Sequence, residues 1–145
     1  MEITSSAFTH NGSIPTRFSC DGENINPQIE INNVPEGTVS LALICDDPDA
    51  PGGTWTHWTA WNIKPEILKI SENSVPDGGV EGVTSFGKPG YGGPCPPKGQ
   101  HRYFFHLYAL DTSFDLGPET SVDDLRYAMD GHVIDSAVLM GHYER

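Results

Sequence analysis

Two short motifs carry side chains that could together bind a small anion. The first, DPDAP, contributes Asp47 and Asp49, and His57 follows Asp47 by ten residues. The second is a glycine- and proline-rich loop that leads directly into His101 and Tyr103. Imidazolium and phenol groups donate hydrogen bonds to anionic oxygens, and a carboxylate can hold a histidine in its protonated form. These residue types can form a site for an anionic oxygen, and the alternative is that His57 and His101 are core histidines whose nitrogens bond to carbonyl groups.

A carboxylate beside an anion repels it unless a proton is shared between them. Asp47 could be protonated, or it could hold a protonated histidine that contacts the anion. The alternative is that Asp47 only accepts backbone N–H groups of its own turn, as Asx residues often do. For Asp49 we expect that structural role, as a brace of the loop.

Residues of the same region could also serve as metal ligands or as a cysteine nucleophile with its base. Asp47, His57 and His101 are acceptable metal ligands, but no tight ligand spacing such as HxxxH is present, and we expect no metal. Cys95 precedes His101 by six residues and could form a nucleophilic pair with it. No third residue that would orient the pair is evident, so a hydrolase acting on small esters or phosphates stays the lesser alternative and we predict no catalytic residue.

Runs of β-branched and aromatic residues bounded by glycine and proline predict four strands. A helix is predicted where Ser121 can cap the N-terminus and Gly131 can end the C-terminus. The predicted strands are residues 39–45, 54–63, 101–110 and 132–143, the helix lies within 121–131, and a single helical turn is predicted over KPEIL, 64–68. Mostly strands with one late helix indicates a β-sandwich or barrel-like domain with a peripheral helix.

Strand alternation predicts which of these side chains share a face. Asp47 continues the inward row of the first strand, and Arg102 points away from the face of His101, where it can brace the DPDAP loop through an ion pair. His106 lies opposite His101 and is therefore left out of the pocket. The predicted companions of His57 on its face are Trp55, Thr59 and Trp61, and those of His101 are Tyr103, Phe105 and Leu107.

Composition limits the classes of function. The 145 residues fit one domain, and a net charge of −12 disfavours nonspecific binding to nucleic acid or to anionic membranes. No apolar run is long enough for a membrane span, and MEITSSAFTHNGSIP does not resemble a signal peptide, so a cytoplasmic location is expected. Three cysteines without CxxC spacing predict reduced thiols rather than disulfides or a zinc site.

The two motifs together resemble the signature blocks of the phosphatidylethanolamine-binding protein family, also called Raf kinase inhibitor proteins. The matching stretches are DPDAP followed by WTHW, and then GPCPPKGQHRYFFHLYALD. GYGGPCPPKGQHRYFF and the ending GHYER are similar to the short bacterial and archaeal branch. The resemblance covers nearly the whole chain. It implies one domain over residues 1–145, an antiparallel β-sandwich with one or two short peripheral helices, and a small pocket for phosphate, phosphorylated headgroups or metabolites, nucleotides or carboxylates.

The resemblance also implies roles for particular residues. The ligand-binding set is Asp47, Trp55, His57, Gly92, Gly93, Pro97, His101 and Tyr103, with backbone N–H groups of the two glycines expected to help, and the supporting set is Asp49, Pro51, Pro96 and Arg102. No cofactor is expected. The leading hypothesis is a regulatory anion-binding protein. The alternative is an inhibitor of a kinase or serine protease that acts through the pocket rim. A homodimer is expected from the prokaryotic relatives.

Overall fold

The computed structural model describes all residues, 1–145, as two β-sheets with one α-helix. Its nine strands are β1 (Glu2–Thr4), β2 (Gly12–Ser13), β3 (Ile29–Asn32), β4 (Ser40–Asp47), β5 (Trp55–Ile63), β6 (Lys69–Ile70), β7 (Val80–Glu81), β8 (Gln100–Leu110) and β9 (Val133–Glu144). The helix α1 spans Val122–Met129, and Thr16–Phe18 form one turn of 3₁₀ helix. The four long predicted strands and the late helix are confirmed, whereas the five short strands carry no sequence signal long enough to find them.

The large sheet has the strand order β2-β9-β8-β4-β5-β7, and the small sheet has the order β1-β3-β6. Every pair is antiparallel except β2 with β9, which run parallel. The predicted mainly β sandwich is therefore confirmed, with one parallel pair at an edge of the large sheet.

The main core lies between the two sheets. Alternate residues of β4 point into it, with Leu41, Leu43 and Cys45 buried there, and Asp47 continues this inward row. The other face of β4 carries Ala42, which packs in a second cluster under α1. Because the inward row ends at Asp47, a charged group is brought to the end of an apolar layer.

The helix begins as the sequence predicts. The Ser121 hydroxyl accepts a hydrogen bond from the backbone N–H of Asp124 at 3.1 Å, which is a standard N-cap. The helical turn predicted over residues 64–68 is wrong, because the segment is a plain turn that leads into an edge strand. Leu68 already accepts a hydrogen bond from the N–H of Ile31, and β6 starts at the next residue. The backbone there is committed to sheet pairing rather than to a helix.

A β-bulge in β5 overturns part of the predicted face of His57. Cys45 pairs with Trp58 but Asp46 pairs with Thr56, so His57 is the extra residue between two pairs. The bulge resets the alternation beyond it. His57 therefore shares the inner side with Trp55, whereas Thr59 and Trp61 lie on the opposite face, where Trp61 packs in the cluster under α1.

The prediction of three reduced cysteines is also wrong, because Cys20 and Cys95 form a disulfide between Cα atoms 5.4 Å apart. The two cysteines are 75 residues apart in sequence, and only the packing of one loop on another brings them together. Cys45 stays free, and burial raises the pKa of its thiol well above the usual range. None of the helices is long and apolar enough to cross a membrane.

Candidate functional site

A cavity of about 290 Å³ opens where the ends of β4, β5 and β8 meet two proline-containing loops. Eight of the predicted site residues line it: Asp47, Pro51, Trp55, His57, Pro96, Pro97, His101 and Tyr103. Ala50, Phe86 and Cys95 complete the lining. The cavity thus combines four polar groups with mainly apolar walls, which is the usual make-up of a small-molecule site.

Asp47 and His101 form a buried pair at the base of the cavity. The Asp47 Oδ2 atom lies 2.6 Å from Nδ1 of His101, and the two residues are only 3% and 7% exposed. The other carboxylate oxygen accepts the N–H of Asp49 at 2.8 Å. Asp47 therefore fills both roles considered from the sequence, as an Asx-turn acceptor and as a histidine partner. Because a carboxylate only accepts, Nδ1 of His101 carries a proton and Nε2 is left without a partner in the chain.

His57 contributes a second imidazole with a defined tautomer. Its Nδ1 donates to the carbonyl of Gly92 at 2.7 Å, so Nε2 of the neutral ring can only accept a hydrogen bond. Burial lowers the pKa of His57, an effect that the Gly92 carbonyl partly offsets. The neutral ring therefore presents an acceptor rather than a cation.

Tyr103 supplies a hydroxyl whose proton has no acceptor in the protein. The residue is 1% exposed, and its Oη lies near the backbone of Cys95 without a hydrogen bond of normal geometry. Its ring meets that of His57 edge to face at 5.2 Å between centroids. Burial and the nearby Asp47 carboxylate raise its pKa, so the hydroxyl stays protonated and can donate. A buried donor without a partner costs stability unless a ligand or water meets it.

The loop that carries Asp47 is braced from β8, as the sequence predicts. Asp49 accepts three hydrogen bonds from Arg102, from its backbone N, Nε and Nη2, at 2.8 to 2.9 Å. This bidentate contact lowers the pKa of the Asp49 carboxyl to about 2. Arg102 is half exposed on the outer side of the strand and does not line the cavity.

Asp49→Asn is expected to destabilise the protein at neutral pH but hardly at all in strong acid. The folded pKa of about 2 lies below the ordinary 3.8, so the unfolded state binds more protons and stability rises with pH across this interval. The contribution of Asp49 is present above the unfolded value and is lost as pH falls through about 2. Urea unfolding of both proteins at neutral and acidic pH measures this. Asp115→Asn, at an exposed aspartate, is the control, and an equal gap at both pH values would contradict the assignment.

The glycines of the second motif act differently from the expectation. The N–H of Gly92 donates to the carbonyl of His57 at 2.9 Å, and the N–H of Gly93 donates to Oδ1 of Asn24 at 2.8 Å. Neither residue lines the cavity. Because both amides already have protein partners, the expectation that they donate to a ligand is not supported. The two glycines lie outside the lining of the cavity, and the carbonyl of Gly92 fixes the tautomer of His57.

Sequence reasoning missed three features of this region. Phe86 lies edge to face against both Trp55 and His57, with centroids 5.6 and 5.3 Å apart. On the outer face, Asp46 meets His106 at 3.3 Å and Arg126 of α1 at 3.2 Å. The alternation of β4 and β8 already separated His106 from the cavity, but no local pattern links Phe86 or Arg126 to these strands.

Comparison with known proteins identifies the relatives of the chain. A family model described as phosphatidylethanolamine-binding protein matches residues 4–144. A UPF0098 protein of Methanothermobacter thermautotrophicus is 51% identical, with 100% of this chain and 99% of that one aligned. A UPF0098 protein of Chlamydia trachomatis is 39% identical, with 100% of this chain and 99% of that one aligned.

Solved structures agree with these sequence matches. A crystal structure of a phosphatidylethanolamine-binding protein homolog from Chlamydia trachomatis has a TM-score of 0.95 at 39% identity, covering 99% of this chain and 97% of that one. Escherichia coli YbcL, described as a new member of the mammalian family, has a TM-score of 0.93 at 32% identity, covering 99% and 98%. The chain therefore belongs to the phosphatidylethanolamine-binding protein family.

Proposed function

We propose that this protein binds a small anion in the cavity and serves a regulatory role rather than catalysing a reaction. The anion is a phosphate, a phosphorylated headgroup or metabolite, or a carboxylate. One observation carries the proposal: the buried Asp47–His101 pair and the unpartnered hydroxyl of Tyr103 border the same cavity. We also propose that residues 1–145 act as one domain.

The proton count of the cavity supports a specific mode of binding. In their neutral forms His57 and His101 both carry the proton on Nδ1, so neither Nε2 can donate. Besides the Tyr103 hydroxyl, a side-chain donor to the anion therefore requires a second proton on one ring. His101 is the ring that accepts it, because the Asp47 carboxylate stabilises an imidazolium. His57 stays neutral and accepts a hydrogen bond from a ligand O–H, such as that of a monoprotonated phosphate.

The apolar walls of the cavity favour a particular kind of substituent on the anionic ligand. Trp55 and Phe86 stand at the mouth and are 40% and 41% exposed, and Pro97 is exposed beside them. An anionic group at the base with a small apolar or uncharged substituent toward the mouth would contact both parts of the cavity. The net charge of −12 makes a polyanionic ligand unfavourable by comparison.

Proton NMR of the histidine rings tests the proposal directly. The protein is titrated with inorganic phosphate, phosphoethanolamine and acetate. Two rings, those of His57 and His101, are expected to shift saturably. His106 lies on the outer face of β8 and serves as the internal control whose signals stay in place. Shifts of His106 equal to those of the other two, or no shift with any of the three anions, would refute an anion site in this cavity.

Phosphate binding is expected to take up about one proton and to strengthen about tenfold between roughly pH 8 and pH 6. The cause is that inorganic phosphate gains its second O–H in this interval, and that O–H can donate to Nε2 of His57, which the lowered pKa of this ring keeps as an acceptor. The charged and titratable groups around His101 are Asp47 on β4, His57 on β5, Tyr103 on β8, Tyr143 on β9 and Asp49 in the following loop. Calorimetry in two buffers of different ionisation enthalpy counts the proton, and affinity that rises with pH would contradict this mode.

A second candidate function is inhibition of a kinase or serine protease by the pocket rim. The exposed aromatic pair of Trp55 and Phe86 favours it, because such side chains are frequent anchors in protein interfaces. Trp55→Ala would then abolish inhibition of the enzyme whether or not phosphate is present. If saturating phosphate alone removes inhibition, the cavity rather than the rim is the operative element.

The expected homodimer and cytoplasmic location also stay proposals. Val133, Ile134 and Val138 of β9 are each more than 40% exposed, and they supply apolar area for a partner. Light scattering is expected to give twice the 15.8 kDa chain mass at micromolar concentration. A monomeric mass would exclude the dimer, and cell fractionation tests the location.

A further inference from the structure

The Cys20–Cys95 disulfide forms part of the cavity wall, and the proposed function does not use it. Cys95 borders the cavity beside Pro96 and is exposed. The unpartnered, buried hydroxyl of Tyr103 borders the same space. A bond that can be opened chemically therefore lies next to polar groups that have room for a ligand.

The disulfide holds a segment that little else holds. Before Cys95, the loop is fixed by the N–H of Cys20 on the carbonyl of Pro94 at 3.1 Å and by Tyr91 on Phe18. After Cys95, the next backbone hydrogen bonds are the pair between Gly99 and Arg145. The two intervening prolines have no N–H to donate. Opening the disulfide therefore removes a covalent restraint on residues 95–98, of which Cys95, Pro96 and Pro97 line the cavity.

The surroundings direct an attacking thiolate to Cys95 rather than to Cys20. Nη1 of Arg145 lies 3.5 Å from the Sγ atom of Cys95, while its Nη2 pairs with Asp21 at 3.1 Å, so both charges lie in one ion pair beside the disulfide. Cys95 is exposed and Cys20 is less so, and an attacking thiolate therefore reaches Cys95 more readily. The third cysteine, Cys45, is buried in the core and out of reach. Access thus favours Cys95.

We propose that Cys95 is a site of reversible modification by small thiols that carry a carboxylate, and that the bound thiol occupies the anion cavity. The incoming thiolate forms a new S–S bond with Sγ of Cys95, the Cys20–Cys95 bond breaks, and Cys20 leaves as a thiolate that takes a proton from water. The carboxylate of the adduct then meets His101 and Tyr103. The contact of the carboxylate with His101 and Tyr103 rests on the proposed function, whereas the reactivity of Cys95 does not.

Intact mass spectrometry with two thiols of opposite charge tests the modification. Oxidised protein is incubated with mercaptoacetate or with cysteamine at equal thiolate concentration, because the two thiols differ in pKa. Adducts are trapped by alkylation and mapped by peptide analysis. One added thiol per chain is expected on Cys95, with Cys20 alkylated. Mercaptoacetate is expected to give this adduct at about a tenfold lower concentration than cysteamine. The net charge of −12 alone predicts the reverse order, because cysteamine is a cation. Adducts on Cys20, preference for cysteamine, or isolation of the protein without this disulfide would each overturn the proposal.

Phosphate binding separates this proposal from the proposed function. Affinity is compared for the oxidised protein, the thiolated protein and the Cys20→Ser/Cys95→Ser variant, with Cys45→Ala as the control that keeps the disulfide. The thiolated protein is expected to bind phosphate at least about tenfold more weakly than the oxidised form, with an unchanged circular dichroism spectrum. Phosphate affinity that thiolation leaves unchanged would overturn occupation of the cavity. If the oxidised protein binds no anion but still forms the Cys95 adduct with the mercaptoacetate preference, the proposed function fails and the modification site stands.

Discussion

Asp47→Asn is expected to weaken phosphate binding by about 10- to 100-fold. The wild-type carboxylate supports a protonated His101, and a charge-assisted hydrogen bond of this kind contributes roughly 1.5 to 3 kcal/mol. Asparagine is close in size but has one acceptor oxygen, so it can accept from the N–H of Asp49 or from Nδ1 of His101 but not from both, because the carboxylate uses a different oxygen for each. It cannot balance a positive charge, so an imidazolium at His101 loses the partner that stabilises it. Isothermal calorimetry with phosphate measures the loss.

Asp46→Asn is the matched control for this substitution. Asp46 is the neighbouring residue of the same strand, is 6% exposed, and meets His106 and Arg126 on the other face. The Asp46→Asn variant therefore loses a comparable buried carboxylate that does not line the cavity. Equal losses of affinity in the two variants would mean that the effect is one of stability or net charge. A loss in Asp47→Asn alone, accompanied by reduced proton uptake, is the expected result.

The sequence was sufficient to predict the parts of this site that depend on strand alternation. Asp47 at the end of an inward row and His101 on the face of Tyr103 follow from a period of two residues, and both lie as predicted. The ion pair between Arg102 and Asp49 was also predicted, because the arginine had to point away from the cavity. Long strands with regular alternation carry this information locally.

The parts that failed depend on contacts between distant segments. Thr59 and Trp61 lie on the face opposite His57 because of a bulge, and nothing in WTHWTAWN marks the extra residue. The Cys20–Cys95 disulfide joins two loops that are adjacent only after folding. Gly92 and Gly93 were assigned to the ligand from the family resemblance, with the expectation that their backbone N–H groups would donate to it. Here tertiary partners occupy both amides, which a single sequence does not reveal.

Gly93→Ala is expected to lower the free energy of unfolding by about 2 to 4 kcal/mol, from steric overlap and from a broken hydrogen bond. A Cβ atom at this position would overlap the carbonyl oxygen of Phe18 and would come within 2.7 Å of Oδ1 of Asn24. The first of these atoms belongs to the backbone and cannot move aside by a rotamer change. The loop must then retreat from the segment that holds Cys20, and the N–H of Gly93 loses its acceptor. Urea unfolding of purified protein measures the change.

Gly52→Ala is the control, because no atom lies within 4 Å of the Cβ that it would add. Gly52 is exposed and directly follows the DPDAP motif, so a change within about 0.5 kcal/mol is expected there. A comparable loss in both variants would show that general loop stiffness, rather than the close approach at Phe18, determines stability. The expected difference has a consequence for binding. Gly92, next in the chain, holds the tautomer of His57, so the variant at Gly93 should lose phosphate affinity under conditions where it remains folded, while the variant at Gly52 should keep it.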